Sequence, residues 1–344
     1  MSTSDQENLN PLFSNFPEKE YYQYSSLEKA RKLGQYFTPY PIARFMAEWV
    51  NLASSLSRVM DPAVGLGIFF RALMDVNPGF SGTFHGFDID PQALDHAKQI
   101  FSGLPSLKLV FYHQDFLLAD GQPQFDGILS NPPYIRYKAI PDREKLIEKF
   151  GQDFGIAISK YSNLYGYFII RCMQALAPRG RAAILVPSDF LYSGFGESIK
   201  QYLLSSGMLR HILFFNDKNS LFDDSITTSC ILLLENDTVV KTASFITLDT
   251  IADLEPLAKD IQLLDQSTIP LTCIIPDTLL AHQKWSRYFF DTPPHKELQH
   301  LAAFTKLGRV KRGIATGDNR FFTFNREKIT RTGIPVAYLL PCLS

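Results

Sequence analysis

The chain is poor in the features that mark several common classes of protein. Only four cysteines occur among 344 residues, Cys172, Cys230, Cys273 and Cys342, and none lies closer than 43 residues to the next. No CxxC pair is present, so the sequence predicts neither a metal site built on paired cysteines nor a disulfide framework, and it points to a reducing cytoplasm. Long apolar runs are missing as well. The best is Ile231-Leu232-Leu233-Leu234, far short of the roughly 20 residues of a membrane span. The first residues, Met1-Ser2-Thr3-Ser4-Asp5-Gln6-Glu7, are polar and slightly acidic, so no signal peptide is expected. Nor does one sign of charge dominate: 34 basic residues face 35 acidic ones, for a net −1. What is present is ordinary globular composition, 45% hydrophobic and 20% charged, which argues against a disordered chain.

The balanced total hides an asymmetry. Between Thr305 and Arg331 eight basic residues (Lys306, Arg309, Lys311, Arg312, Arg320, Arg326, Lys328, Arg331) face only Asp318 and Glu327, a net +6 that leaves −7 for the rest. Such a window is either a contact for a phosphate backbone or a solvated charged loop. Upstream of it, short apolar runs alternate with amphipathic stretches. Strands are expected at Arg58–Met60, Thr83–Phe87, Leu107–Tyr112, Phe125–Leu129 and Ala182–Val186. Helices are expected at Phe69–Val76, at Pro91–Phe101 with proline in its first turn, at Leu164–Ala177 and at Ile199–Ser205. This alternation predicts a parallel α/β sheet. Two further strands, Ile212–Phe215 and Thr228–Leu234, follow without an intervening helix and predict an antiparallel edge pair. Residues 1–30 read as an arm or a short helix, and the proline-punctuated text after about residue 250 is not assigned to the same sheet.

In an open α/β sheet, ligands gather at the carboxyl ends of the strands. The first strand runs into Asp61-Pro62-Ala63-Val64-Gly65-Leu66-Gly67, where glycines allow close backbone approach to a ligand. The third glycine of a dinucleotide fingerprint is missing, which disfavours pyrophosphate. The second strand ends in Asp88-Ile89-Asp90. A carboxylate about 20 residues beyond a glycine turn can accept both hydroxyls of a ribose, and Asp90 is the better helix cap. After the third come Asp115 and Phe116, suited to the amino group and ring face of an adenine, unless Asp115 is a turn residue. The fourth end is Asn131-Pro132-Pro133-Tyr134. Two prolines fix the backbone and remove two donors, leaving the Asn131 side-chain oxygen and the Pro132 carbonyl as rigid acceptors beside the Tyr134 ring. That set fits a planar substrate carrying an NH2 group, which two acceptors would draw towards a tetrahedral, nucleophilic nitrogen.

Taken in order, Gly34-Gln35-Tyr36-Phe37-Thr38-Pro39, Asp61 to Gly67, Asp88, Asp115-Phe116 and Asn131 to Tyr134 resemble the gamma-class adenine-N6 DNA methyltransferases of bacterial restriction–modification systems. Lys160 to Phe168 and Val186-Pro187-Ser188 extend the resemblance, which covers roughly residues 30 to 235. It implies a Rossmann-like mixed sheet of the S-adenosylmethionine-dependent methyltransferase kind, with helices on both faces. It implies S-adenosylmethionine as methyl donor, held by Thr38, Asp61, Gly65, Gly67, Asp88, Asp115 and Phe116. A flipped adenine would be held by Asn131, Pro132 and Tyr134, with Phe222 in Leu221-Phe222-Asp223-Asp224 as the second face of an aromatic sandwich. Flipping costs a few kcal/mol of stacking, much of which such a sandwich returns.

Val310 to Phe322 likewise resembles the opening of a target-recognition domain. The expected organisation is an arm (1–30), a catalytic domain (31–250), a connecting segment (251–300) and the start of a second domain, incomplete at Ser344 (301–344). Arg309, Lys311 and Arg312 are the expected DNA contacts. The expected partners are double-stranded DNA, with a cognate restriction endonuclease or a separate recognition half, in a bacterial cytoplasm. Methylation of a protein glutamine or an RNA base is the competing enzymatic reading. A remnant that binds cofactor or DNA without turnover is the non-enzymatic one.

Overall fold

The computed structural model describes residues 11–24, 34–104, 107–121, 123–215, 228–237, 243–260, 271–274, 279–289, 306, 308 and 323–339. The chain forms two compact units, 1–291 and 292–344. In the first, a short helix α1 (Phe16–Tyr24) precedes α2 (Tyr40–Asn51). There follow β1 (Arg58–Asp61), α3 (Ile68–Val76), β2 (Thr83–Asp88), α4 (Pro91–Phe101), β3 (Lys108–His113) and β4 (Phe125–Ser130). Next come α5 (Arg143–Phe154), α6 (Leu164–Ala175), β5 (Leu176–Pro187), α7 (Gly196–Ser206), β6 (Leu209–Phe215) and β7 (Ser229–Glu235). β8 (Ala243–Leu248), α8 (Leu254–Asp260) and β9 (Leu271–Ile274) complete the unit.

The nine strands among the described residues join one sheet in the order β3-β2-β1-β4-β5-β7-β6-β8-β9. The first five pair in parallel, and β7 runs antiparallel to both β5 and β6. Helices cover both faces, so the central strands carry unbroken apolar runs rather than an alternation with polar residues. Along β7, Cys230, Leu232 and Leu234 point into one core and Ile231 and Leu233 into the other. The first core is filled from α5, α6 and α7; the second from α2, α3, α4 and α8.

Three expectations change. β6 and β7 are antiparallel but do not form the edge, because β8 pairs in parallel with β6 and β9 pairs antiparallel with β8. The text after residue 250 therefore does contribute to the sheet, through β9. Helix α6 stops at Ala175, two residues early, and β5 begins at once, with Pro178 disfavouring helical backbone before it. Helices α2, α5 and α8 and strand β8 have no counterpart among the expected elements. In the second unit, α9 (Arg326–Thr332) is capped by Asn325, whose side chain accepts from the Lys328 N–H at 2.8 Å.

Candidate active site

The carboxyl ends of β1, β2 and β4, with the turn after β3, surround a cavity on the Asp61–Gly67 side of the sheet. β1 delivers Asp61 into the interior at 1% exposure. Its Oδ1 accepts from the Ala63 N–H at 3.0 Å, while Oδ2 is buried with no hydrogen-bond partner among the described residues. Burial pushes this carboxyl well above the usual carboxylate range. The turn that follows depends on left-handed glycines. Gly67, at φ 76°, precedes the first turn of α3, and a Cβ there would lie 2.5 Å from the Phe101 ring. The Gly65 N–H donates to Asp88 Oδ2 at 2.9 Å, and the Asp90 N–H donates to Asp88 Oδ1 at 2.8 Å. Burial raises the Asp88 carboxyl in spite of these bonds, and raises Asp115, which accepts from the Leu117 N–H at 2.9 Å. Asp90 caps α4 through the Gln92 N–H.

Asn131 begins the loop after β4. Its Nδ2 donates to the Tyr36 carbonyl at 2.9 Å and to Thr38 Oγ1 at 3.1 Å. A carbonyl can only accept, so Tyr36 decides which end of the amide is nitrogen. The oxygen is thereby left buried and without a partner among the described residues, in the wall of the cavity. The loop is braced along its length. The Tyr134 N–H donates to the Gly34 carbonyl at 3.1 Å, and a Cβ on Gly34 would meet that nitrogen at 2.9 Å. The Leu164 N–H donates to the Ile135 carbonyl, and the Tyr137 N–H to Asn163 Oδ1 at 3.1 Å. Asn163 is held in turn by Asp189 at 3.2 Å. Beyond the loop, exposed Arg136, Lys138 and Lys160 make no ion pair among the described residues. Lys138 lies over the Tyr137 ring and Lys160 over the Tyr161 ring, and the two rings meet edge to face at 5.4 Å.

The cavity thus combines buried acids, one of them with a partnerless oxygen, with a fixed amide oxygen and aromatic walls. It suits a ligand that is cationic and carries donors, next to a second group that offers an N–H. A family model described as N-6 DNA Methylase matches residues 19–271. The chain belongs to the N-6 DNA methylase family. The chain is 32% identical over 337 residues to the Type II methyltransferase M.AccI of Acinetobacter calcoaceticus, an alignment spanning 96% of the present chain and 60% of that protein. The chain therefore spans less than two thirds of the length of that relative. In fold it is similar to the methyltransferase subunit of a type I restriction–modification system from Streptococcus thermophilus, with a TM-score of 0.62 at 15% identity over 83% of this chain and 66% of that one. A protein described as a class I S-adenosylmethionine-dependent methyltransferase from Listeria monocytogenes gives 0.56 at 22% identity, over 74% of this chain and 78% of that one.

Among the residues singled out from the sequence, Thr38, Asp61, Gly65, Asp88, Asp115, Phe116 and Asn131 line this cavity. Gly67, Pro132 and Tyr134 stand outside its wall. Gly67 shapes the turn, and half-buried Tyr134 lies 5.3 Å from the Tyr36 ring. Phe222, Arg309, Lys311 and Arg312 lie outside the described residues. Sequence reasoning missed Tyr36, whose carbonyl orients Asn131, as well as Glu18 and Tyr21, which come to the cavity from α1. Tyr36 acts through its backbone, which leaves no side-chain signal. Glu18 becomes conspicuous only once it is buried.

Proposed function

We propose that the chain transfers a methyl group from S-adenosylmethionine to the N6 amine of an adenine turned out of double-stranded DNA, as the modification activity of a restriction–modification system. The observation that carries this reading is the buried, partnerless Asn131 Oδ1, whose amide nitrogen is occupied by Tyr36 and Thr38. A buried acceptor without a partner is costly, and an amine placed against it removes that cost. The Asp61 carboxyl supports the donor assignment in the same way. Its free oxygen is a buried acceptor facing the cavity, and S-adenosylmethionine offers an ammonium and a sulfonium. Asp88 and Asp115 then suit the ribose hydroxyls and the adenine amine of the donor.

When bound, the donor supplies a methyl group on a sulfonium sulfur that departs as a neutral thioether. The protein's part is positioning and charge. Asn131 Oδ1 and the Pro132 carbonyl accept from the substrate amine and localise its lone pair; Tyr134 offers a ring to the flipped base. The amine's surplus proton leaves to water after transfer, so no general base is needed. The exposed cations Arg136, Lys138 and Lys160 beside the loop support a polyanionic substrate. Residues 301–344, with their surplus of basic residues, are proposed as the start of a target-recognition domain, and 31–250 as the catalytic domain.

The test is methyl transfer from labelled S-adenosylmethionine to unmethylated genomic DNA, followed by digestion to nucleosides. N6-methyladenine is the expected product. Asn131→Ala should lower transfer by at least about 100-fold, the scale of losing a transition-state hydrogen-bond partner, and should leave donor affinity within a factor of about three. Equal loss of transfer and donor binding would remove Asn131 from its role.

A further inference from the structure

Glu18 has no part in the chemistry described so far, yet it is 2% exposed and stands in the wall of the cavity with Asp61 and Thr38. Its Oε1 accepts from Nη2 of Arg71. Arg71 lies on α3, the helix that leaves the glycine turn, and its side chain is fully buried. Its Nη1 donates to the carbonyls of Leu12 at 2.8 Å and Ser14 at 2.7 Å, so one guanidinium holds three points of the N-terminal segment. Asn15 provides a separate tie. Its Nδ2 donates to the Thr38 carbonyl at 2.9 Å and its Oδ1 accepts from the Tyr40 N–H at 2.7 Å, bracketing Pro39. Through Thr38 Oγ1 this tie reaches Asn131. One turn beyond Glu18, Tyr21 also lines the cavity, edge-on to His96 at 4.9 Å and to Phe37 at 6.1 Å.

What remains unexplained by a purely structural ion pair is the other carboxylate oxygen. Oε2 of Glu18 is buried and has no hydrogen-bond partner among the described residues. Burial pushes the Glu18 carboxyl up even though Arg71, its own backbone N–H and Asn15 favour the charged form, so leaving the second oxygen unpaired and desolvated is unfavourable. A cationic or hydrogen-bond-donating ligand in the cavity supplies the missing partner. We propose that residues 11–24 form a cover over the methyl-donor pocket, latched by Arg71, and that the free oxygen of Glu18 binds the cationic part of the donor. The inference rests on the methyltransferase reading above. It makes the docking of the N-terminal segment and the binding of the donor mutually reinforcing, because each supplies a partner for Glu18.

Two measurements on the 344-residue chain test it. Hydrogen exchange of amides 11–24 is followed with and without saturating S-adenosylmethionine; the expected result is exchange slowed by at least about tenfold. Calorimetry then compares the chain with Glu18→Gln, which keeps the shape and an oxygen for Arg71. The variant should bind S-adenosylmethionine about 10- to 100-fold more weakly, the range for a hydrogen bond to a charged group. S-adenosylhomocysteine, which keeps the ammonium but has no sulfonium, separates the two cationic groups. An equal penalty for both ligands assigns the ammonium to Glu18, and a penalty for S-adenosylmethionine alone assigns the sulfonium. Unaltered affinity in the variant, or protection at Gly65 and Asp88 with none over 11–24, would overturn the cover. No binding and no protection anywhere in the wild-type chain would overturn the methyltransferase reading itself. The exchange experiment needs no substitution and so stands even if the variant folds poorly.

Discussion

At the scale of single residues, the site is a set of buried acceptors. Asp61 Oδ2, Glu18 Oε2 and Asn131 Oδ1 are all buried and without partners among the described residues. Each is by itself unfavourable to the fold. For Asp61 the sign is definite: its carboxyl is raised above the ordinary 3.8 by burial, so between that value and its folded one the native state holds the extra proton. Stability of the donor-free chain then falls as pH rises from about 4 towards neutrality. Asp61→Asn, which cannot ionise, should remove this part of the pH dependence, so that the variant loses less stability than the unsubstituted chain between about pH 4 and 7.5. The same change should weaken donor binding at least about tenfold, by the removal of a charge-assisted hydrogen bond. Thermal melts at the two pH values and calorimetry check both effects. An unchanged pH dependence in the variant would show that the buried charge is compensated in some other way.

Elements place these residues, and their sequence signals differ in kind. The strand ends carrying Asp61, Asp88 and Asn131 are legible because a strand–turn–helix sequence puts its functional residues at a fixed place, the carboxyl end. The helix α1 is not legible in that way, since its value lies in Glu18 meeting Arg71 more than fifty residues later. β6 makes a similar point. His211 lies in this strand, edge-on to Trp49 at 5.5 Å, and burial, with Arg210 and Arg181 nearby, pushes its imidazole down to about 3. An unfolded histidine titrates near 6.5, so below that pH the unfolded chain takes up a proton that the folded chain refuses. Stability contributed by the neutral ring is thus lost as pH falls from about 6.5 towards 3. Between pH 7.5 and 5.5 the loss from this group is about 1.4 kcal/mol. His211→Gln should remove that increment from urea denaturation curves taken at the two pH values, and an unchanged difference would show that His211 is protonated in the fold.

At the scale of the whole molecule, the proposed function would have a near-neutral chain bind a polyanion. The described residues answer with a local cluster rather than a global field: Arg136, Lys138 and Lys160, exposed and interleaved with Tyr137 and Tyr161, beside the Asn-Pro-Pro-Tyr loop. If these cations meet phosphates, the joint change to Ala should reduce the slope of log affinity against log salt by about 2 to 3, close to one for each phosphate that is no longer neutralised. Donor affinity should be unaffected. A parallel triple change at Arg309, Lys311 and Arg312 reports on the basic window near the end of the chain, and a slope altered by only one of the two sets identifies which surface meets the DNA backbone.

The sequence by itself determined what depends on local order: the alternation of strands and helices, the glycine turn after β1, the acids at successive strand ends and the Asn-Pro-Pro-Tyr loop. These are properties of short segments, whose backbone options are limited by glycine, proline and the burial pattern. The tertiary structure decided what depends on distant segments meeting. It moved β6 and β7 inward by adding β8 and β9, because which strands complete a sheet depends on long-range pairing rather than on local pattern. It oriented the Asn131 amide through a carbonyl 95 residues away in the chain. And it turned Glu18, one acid among 35 acidic residues, into part of the cavity wall, since burial and the lack of a partner exist only once the fold has excluded water.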